Sequence, residues 1–315
     1  MAAAVSFVTS SLHLGHIATA MLPLCNNELT EKCYHFGLTF VMKHPLKTLL
    51  IISLLVTAPF SIMAQNNSYT DLVGDADKAI AEGKWDEAEQ MLTEAMRLEP
   101  ANPFNVLLMS NVGMMQFNQG KDSLALATLN TAHEIAPASV TILGNRARIL
   151  MATGHEKEAF DDFGRIIELD STAVMPRFNH GIIALKTHDF ATAIRDFEYL
   201  NSHAPDELET SIGMASLHSA LGNWAEAIPY FNRVIEKDPA SHFYAGRALC
   251  RLMLDQLSEA SDDISRGLEL DPEDGELYLY RAALNKMRYR VADARADAER
   301  ARQLGIPAER LKDFF

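Results

Sequence analysis

Along residues 69–308 the small, apolar and polar positions of the chain recur with a beat near 34 residues. The stretch GKWDEAEQMLTEAMRLEP (83–100) and the stretch GNWAEAIPYFNRVIEKDP (222–239) are near copies of one pattern. Aligned on the alanine of the first stretch, Ala recurs at Ala88, Ala125, Ala159, Ala193, Ala227, Ala260 and Ala294, in steps of 37, 34, 34, 34, 33 and 34. Twelve residues before each lie Ala76, Gly113, Ala147, Gly181, Ala215, Ala248 and Ala282, all Gly or Ala. Twelve residues after each lie Pro100, Pro137, Ser171, Pro205, Pro239, Pro272 and Ile306. A fixed period of this length predicts a repeat array rather than a single folded core. The units are 69–102, 106–139, 140–173, 174–207, 208–240, 241–274 and 275–308, followed by a tail, 309–315. The longer first step places extra residues near 101–105, in a surface connection where an insertion costs little.

The pattern resembles the tetratricopeptide repeat, with small residues at repeat positions 8, 20 and 27, large apolar ones near 17 and 24, and proline at 32. The resemblance covers 69–308 and implies an all-α fold, a right-handed α-α superhelix of antiparallel helix pairs, A and B. Small residues at positions 8 and 20 let the paired helices approach. Trp85, Phe163, Phe190, Phe197, Trp224 and Phe231 then fill the neighbouring hollows, each contributing about 1.5–3 kcal/mol when buried. Gly83, Gly120, Gly154 and Gly222 fall between A and B, where a left-handed residue ends a helix. The prolines follow helix B, which they cannot continue. No unit buries its apolar face alone, so stability comes from stacking neighbours. Pro229, inside a B helix, is expected to bend it locally. The last B helix, VADARADAERARQL (291–304), reads as an end cap with a wet outer face; Phe314 and Phe315 either tuck against it or belong to a frayed terminus.

The resemblance further implies that positions 2, 5, 6, 9, 12 and 13 of each A helix line a concave groove holding a peptide or a helix of another protein. Position 6 is Asn in three successive units, Asn111, Asn145 and Asn179, and side-chain amides both donate and accept hydrogen bonds. Met114, Phe117, Met151, Met175, Phe178, Ile182 and Leu185 are apolar neighbours suited to a groove wall, with Met adaptable to varied partners. Arg148 and Lys186 supply isolated positive charge for a peptide carboxylate. The candidate site is therefore Asn111, Asn145, Asn179, Arg148, Phe178, Lys186, Met114 and Phe117. The two-carboxylate clamp of chaperone-tail binders is not matched. Its positions here are Val73, Asp77, Asn111, Thr141 and Asn145, and only Asn111 fits.

Composition narrows the class. Apolar residues make up 48% of the 315, as a core-forming protein requires, and the formal net charge of −14 argues against nucleic-acid binding. Charge is uneven: residues 275–315 carry nine Lys/Arg against six Asp/Glu. The stretch from Met42 has the layout of a secretory signal peptide: Lys43 and Lys47, an apolar run from Leu49 to Phe60, and a small residue at Ala64. Residues 42–64 are expected to be that leader, with 1–41 an over-extended reading frame. The alternative is an uncleaved membrane anchor, for which the run is short. The expected location is the periplasm or the outer membrane's surface. Cleavage leaves Cys250 as the one cysteine, so no internal disulfide is expected.

No G-x-S-x-G, Walker-type loop or H-E-x-x-H is present, and the carboxylate pairs Asp161/Asp162 and Asp262/Asp263 read as solvated outer-helix residues. The expected function is non-enzymatic: no cofactor, metal or small-molecule substrate, and a protein partner, peptide or helix, on the concave face. The alternative is an architectural subunit of a cell-envelope complex that uses edges and convex face.

Overall fold

The computed structural model describes residues 68–315, in which every regular element is helical. The order is α1 Tyr69–Ala81, α2 Trp85–Leu98, α3 Asn105–Asn118, α4 Asp122–Ile135, α5 Val140–Ala152, α6 Glu156–Leu169, α7 Val174–Lys186, α8 Phe190–His203, α9 Leu208–Ala220, α10 Trp224–Lys237, α11 Ser241–Met253, α12 Leu257–Leu270, α13 Gly275–Met287, α14 Val291–Gln303 and α15 Ala308–Leu311. A 3-10 turn, Lys312–Phe314, closes the chain. The helices form two compact units, 68–155 with α1–α5 and Glu156–Phe315 with α6–α15. The expected leader, 42–64, and residues 1–41 lie outside the described residues. Among the described residues no helix is long and apolar enough to cross a membrane.

Odd-numbered helices through α13 are the A helices and even-numbered ones the B helices. Each pair is built on the small residue at position 8. Ala76, Gly113 and Ala147 in the N-terminal unit, and Gly181, Ala215, Ala248 and Ala282 in the C-terminal unit, are all buried. The partner that demands smallness is the large residue at position 24. A Cβ on Gly113 would stand 2.8 Å from Cγ of Leu129, and one on Gly181 would stand 2.7 Å from Cζ of Phe197. The alanine series from Ala88 to Ala294 is likewise buried on the B helices.

Helix ends follow local chemistry. Ser68 and Asp71 form a capping box at α1, each side chain accepting the other residue's backbone N–H. Every A helix in an A–B hairpin ends the same way. The amide two residues past the C-cap reaches back five residues: Lys84 N to Ala79 O (2.8 Å), Asp189 N to Ala184 O (2.8 Å), Arg290 N to Asn285 O (2.8 Å). This closure places one residue in the left-handed region. Gly83, Gly120, Gly154 and Gly222 take it, with φ between 73° and 80°, as their sequence position predicted. His188, Asp255 and Tyr289 take it without being glycine. Helix α10 runs unbroken from Trp224 to Lys237 through Pro229.

The C-terminus is ordered by repeat logic. Leu311 and Phe314 are buried in the apolar cluster that includes Tyr280 and Leu284, while Phe315 is 57% exposed. Arg310 pairs with Glu276, 34 residues earlier (Nη2–Oε2 2.8 Å), and Lys286 Nζ donates to the Asp313 carbonyl (2.7 Å). The tail thus begins an eighth A helix and stops after one turn, covering α13 as a terminal cap should.

Candidate binding surface

The groove-face positions differ between the two units. In the N-terminal unit they are carried by α1, α3 and α5, and only one of them, Ser110, is buried. Leu107 is 44% exposed, Asn111 is exposed, and Val73, Ile80, Met114, Phe117 and Met151 are half-buried. Met114 and Phe117 pack their inner sides on Leu129 and Ile149, leaving an outer side free. Helix α3 owes this to its composition. With Leu107, Leu108, Met109, Val112, Met114, Met115 and Phe117 it is apolar on more than one face, and its partner α4 covers only the face of Gly113.

Two polar candidates in this unit are already engaged. The Asn145 amide donates to Ser110 Oγ (2.8 Å), so position 6 of one repeat ties to position 5 of the one before. The Arg148 guanidinium lies against the Met114 thioether (Nη2–Sδ 3.2 Å), which holds both side chains on the same face.

In the C-terminal unit positions 9 and 12 of α7, α9 and α11 close up, while position 2 stays half-buried in each of that unit's repeats. Ile182 and Leu185 on α7, Ser216 and Ser219 on α9, and Leu249 and Leu252 on α11 are all buried. Helix α9 is the reason: Ser211, Gly213, Ala215, Ser216, Ser219 and Ala220 give it small residues on several faces, so its neighbours draw in and dry it nearly all round. Phe197 of α8 fills the space beside both Gly181 and Gly213. Two sequence expectations change here. Phe178 is 1% exposed and belongs to the core beside Phe197, because its position faces α8 (ring centroids 6.3 Å apart). Lys186 is not isolated charge, since Glu156 holds its ammonium. Asn179 stays half-buried on α7.

The carboxylate pairs are also corrected. Asp161 and Asp262 are exposed, but Asp162 and Asp263 are buried. They lie three residues after Ala159 and Ala260, and residues three apart share a helix face. Asp263 takes Arg247 (Nη2–Oδ1 2.6 Å) and Arg251 (Nη1–Oδ2 2.6 Å). One repeat on, Asp297 takes Arg281 (2.6 Å) and Asn285 (2.9 Å). In the fourth repeat His180 fills the arginine's place, at 2.5 Å from Asp196, stacked on Phe160 and joined by Arg177. The signal was legible as an Asp three after the repeat alanine with Arg or His sixteen residues before it. These ties clamp A helices to B helices and leave the carboxylates no room for a substrate.

Other reactive groups are equally spent. Burial pushes the Cys250 thiol up to about 12, with Ser219 Oγ 3.5 Å away, so it stays protonated and unreactive. Burial holds His242 down to about 4. Among the described residues no cluster of three or more His, Cys, Asp or Glu could hold a metal ion.

Residues 184–250, from the end of α7 to α11, match the tetratricopeptide repeat family model. The tetratricopeptide repeat and J domain-containing co-chaperone of Cryptococcus neoformans var. grubii is 25% identical over 186 residues, 55% of this chain and 35% of that protein. The DnaJ homolog subfamily C member 7 homolog of Dictyostelium discoideum is 23% identical over 176 residues, 50% of this chain and 33% of that protein. The chain thus spans about a third of the length of these curated relatives. A solved tetratricopeptide repeat protein from Parabacteroides merdae is 27% identical, with a TM-score of 0.62 over 78% of this chain and 96% of its own. The described chain is an all-helical solenoid of the tetratricopeptide type, with the family's sequence signature in residues 184–250.

Proposed function

We propose that this chain is an exported, non-enzymatic scaffold that holds a segment of another protein on the groove face of its N-terminal unit. One observation carries the reading: the groove-face positions of α1, α3 and α5 remain open apart from Ser110, and among them Leu107, Met114, Phe117 and Met151 present apolar surface beside amide and guanidinium groups. A partner segment seated there covers Leu107, Met114 and Phe117 and meets Asn111 and Arg148, an arrangement of apolar anchors beside polar groups that suits an amphipathic helix. The C-terminal unit, closed at positions 9 and 12 of α7, α9 and α11, serves as the rigid part of the scaffold. The leader pattern at 42–64 supports export to a bacterial envelope, and cleavage after Ala64 is the form in which the protein acts. The co-chaperone relatives do not bring chaperone-tail binding with them, since Val73, Asp77 and Thr141 replace the clamp's residue types.

The test uses Leu107→Glu together with Asn111→Arg, both exposed and both safe for the fold. Partners are captured from envelope extract with the parent chain and with the variant, each carrying a photo-crosslinker at Thr141. Loss of the crosslinked partner in the variant, with unchanged helicity, is the expected result. An undiminished crosslink removes the groove face of the N-terminal unit as the binding surface.

A further inference from the structure

The A–B turn of the seventh repeat has an unusual tip. Tyr289 sits in the left-handed region (φ 60°) where four sister turns use glycine. A bulky side chain there is a costly choice, and the turn gains nothing for it, because the Tyr289 side chain is 90% exposed. The backbone is fixed: Tyr289 N donates to Lys286 O (3.0 Å) and Arg290 N to Asn285 O (2.8 Å). Arg288 is anchored on the Leu257 carbonyl (2.8 Å), and Val291 beyond the tip is 65% exposed. The result is a rigid projection with an aromatic at its point, an apolar shoulder, two arginines and no carboxylate over 288–291.

At the corresponding edge of the N-terminal unit lies a groove of about 490 Å³ lined by Gly83, Lys84, Trp85, Asp86, Glu87, Gln119 and Lys121. Gly83 and Gln119 belong to two consecutive A–B turns, so the groove is the gap between them. Trp85 supplies its apolar surface. The groove's lining holds two carboxylates, Asp86 and Glu87, and two lysines, Lys84 and Lys121, and Glu82 and Glu89 beside those lysines add an excess of negative charge around it. Lys121 is committed to Asp86 (2.9 Å) and Glu89 (3.6 Å), and Lys84 to Glu82 (2.8 Å).

We propose that the Tyr289 tip of one copy inserts into the Trp85 groove of a second copy, so that the chain self-associates head to tail. Tyrosine and arginine are the side chains that carry most energy in interfaces, and the tip offers both on a backbone that needs no further ordering. Arg290, exposed beside Tyr289, meets the excess carboxylates around the groove, which makes the contact weaken as salt rises. Tip and groove lie on different parts of one chain, so the contact is heterologous and leaves a free tip and a free groove at the ends of every assembly.

Sedimentation velocity of the purified full chain tests this over a hundredfold concentration range, at low salt and at about 1 M salt. The expected result is a weight-average mass that climbs with concentration and falls back toward one chain in high salt. Tyr289→Gly, which suits the turn better than the parent residue, shifts self-association at least tenfold weaker without unfolding. Glu87→Arg, an exposed substitution in the groove, does the same. Mixed together, the two variants form a finite one-to-one dimer, because the intact tip of one fits the intact groove of the other. A parent chain that stays at one mass throughout, a Tyr289→Gly variant that associates like the parent, or a mixture that remains monomeric overturns the proposal.

Discussion

The two units run one repeat pattern to opposite ends. On α7, α9 and α11 of the C-terminal unit, Ile182, Leu185, Ser216, Ser219, Leu249 and Leu252 are buried at repeat positions 9 and 12, where the N-terminal unit leaves Ile80, Met114, Phe117 and Met151 partly in water. The difference comes from small side chains and from buried polar ties. Helix α9 draws its neighbours together with serines, glycine and alanines, and Asp196, Asp263 and Asp297 lock A to B helices in three repeats. The N-terminal unit holds its hairpins with lighter contacts, such as Gln116 to Glu89 (2.6 Å) and Thr128 to Gln116 (2.8 Å). A repeat protein can therefore divide labour along its length: one stretch spends its groove on its own cohesion, and the other keeps it for a ligand.

The largest effect belongs to the sealed unit. Phe197 is 0% exposed between two glycines, and Phe197→Ala is expected to remove about 3–5 kcal/mol. Phe117→Ala, on the half-open face, should cost about 1 kcal/mol. Urea unfolding of both variants checks the contrast, and equal losses would erase the distinction between the units. Next comes Asp263→Ala, which strands Arg247 and Arg251 near buried surface and is expected to cost about 3 kcal/mol. Replacing Asp263, Arg247 and Arg251 together with apolar residues should recover part of that, and a triple variant no better than the single one would show that the tie acts through something other than its charges.

A smaller, conditional effect is pH-dependent. Burial holds His242 at about 4, against about 6.5 in an unfolded chain. The unfolded state takes the proton first, so this contribution is whole above about pH 6.5, falls as pH drops toward 4, and is level below. Its full size is about 3 kcal/mol at most. Asp274, whose carboxyl burial pushes upward, titrates in the opposite sense and offsets part of the loss at the acid end. Stability of His242→Gln followed across pH 4 to 7 should lose most of this slope; a slope identical to the parent's would assign the acid sensitivity elsewhere.

Much of this architecture was legible without coordinates. The alanine beat located seven small residues that are all buried, two of which, Gly113 and Gly181, leave no room for a Cβ, and Gly83, Gly120, Gly154 and Gly222 marked four turns whose left-handed residue the structure shows. The same reasoning missed His188, Asp255 and Tyr289, because the turn is enforced by its hydrogen bonds and tolerates a side chain where nothing crowds it. It read Asp162 and Asp263 as solvated because charge suggests water, although their spacing from Ala159 and Ala260 places them on the buried face. It assigned Phe178 to a groove wall by position alone.

The hairpin, its period and its register follow from local rules that the residues carry on their own: helix periodicity, a left-handed stop, a proline after the end, and a small residue at each crossing. Which groove positions stay wet is settled by how the helices pack. That outcome depends on how closely neighbouring A helices approach, which is set jointly by side chains about 34 residues apart and so appears in no single repeat.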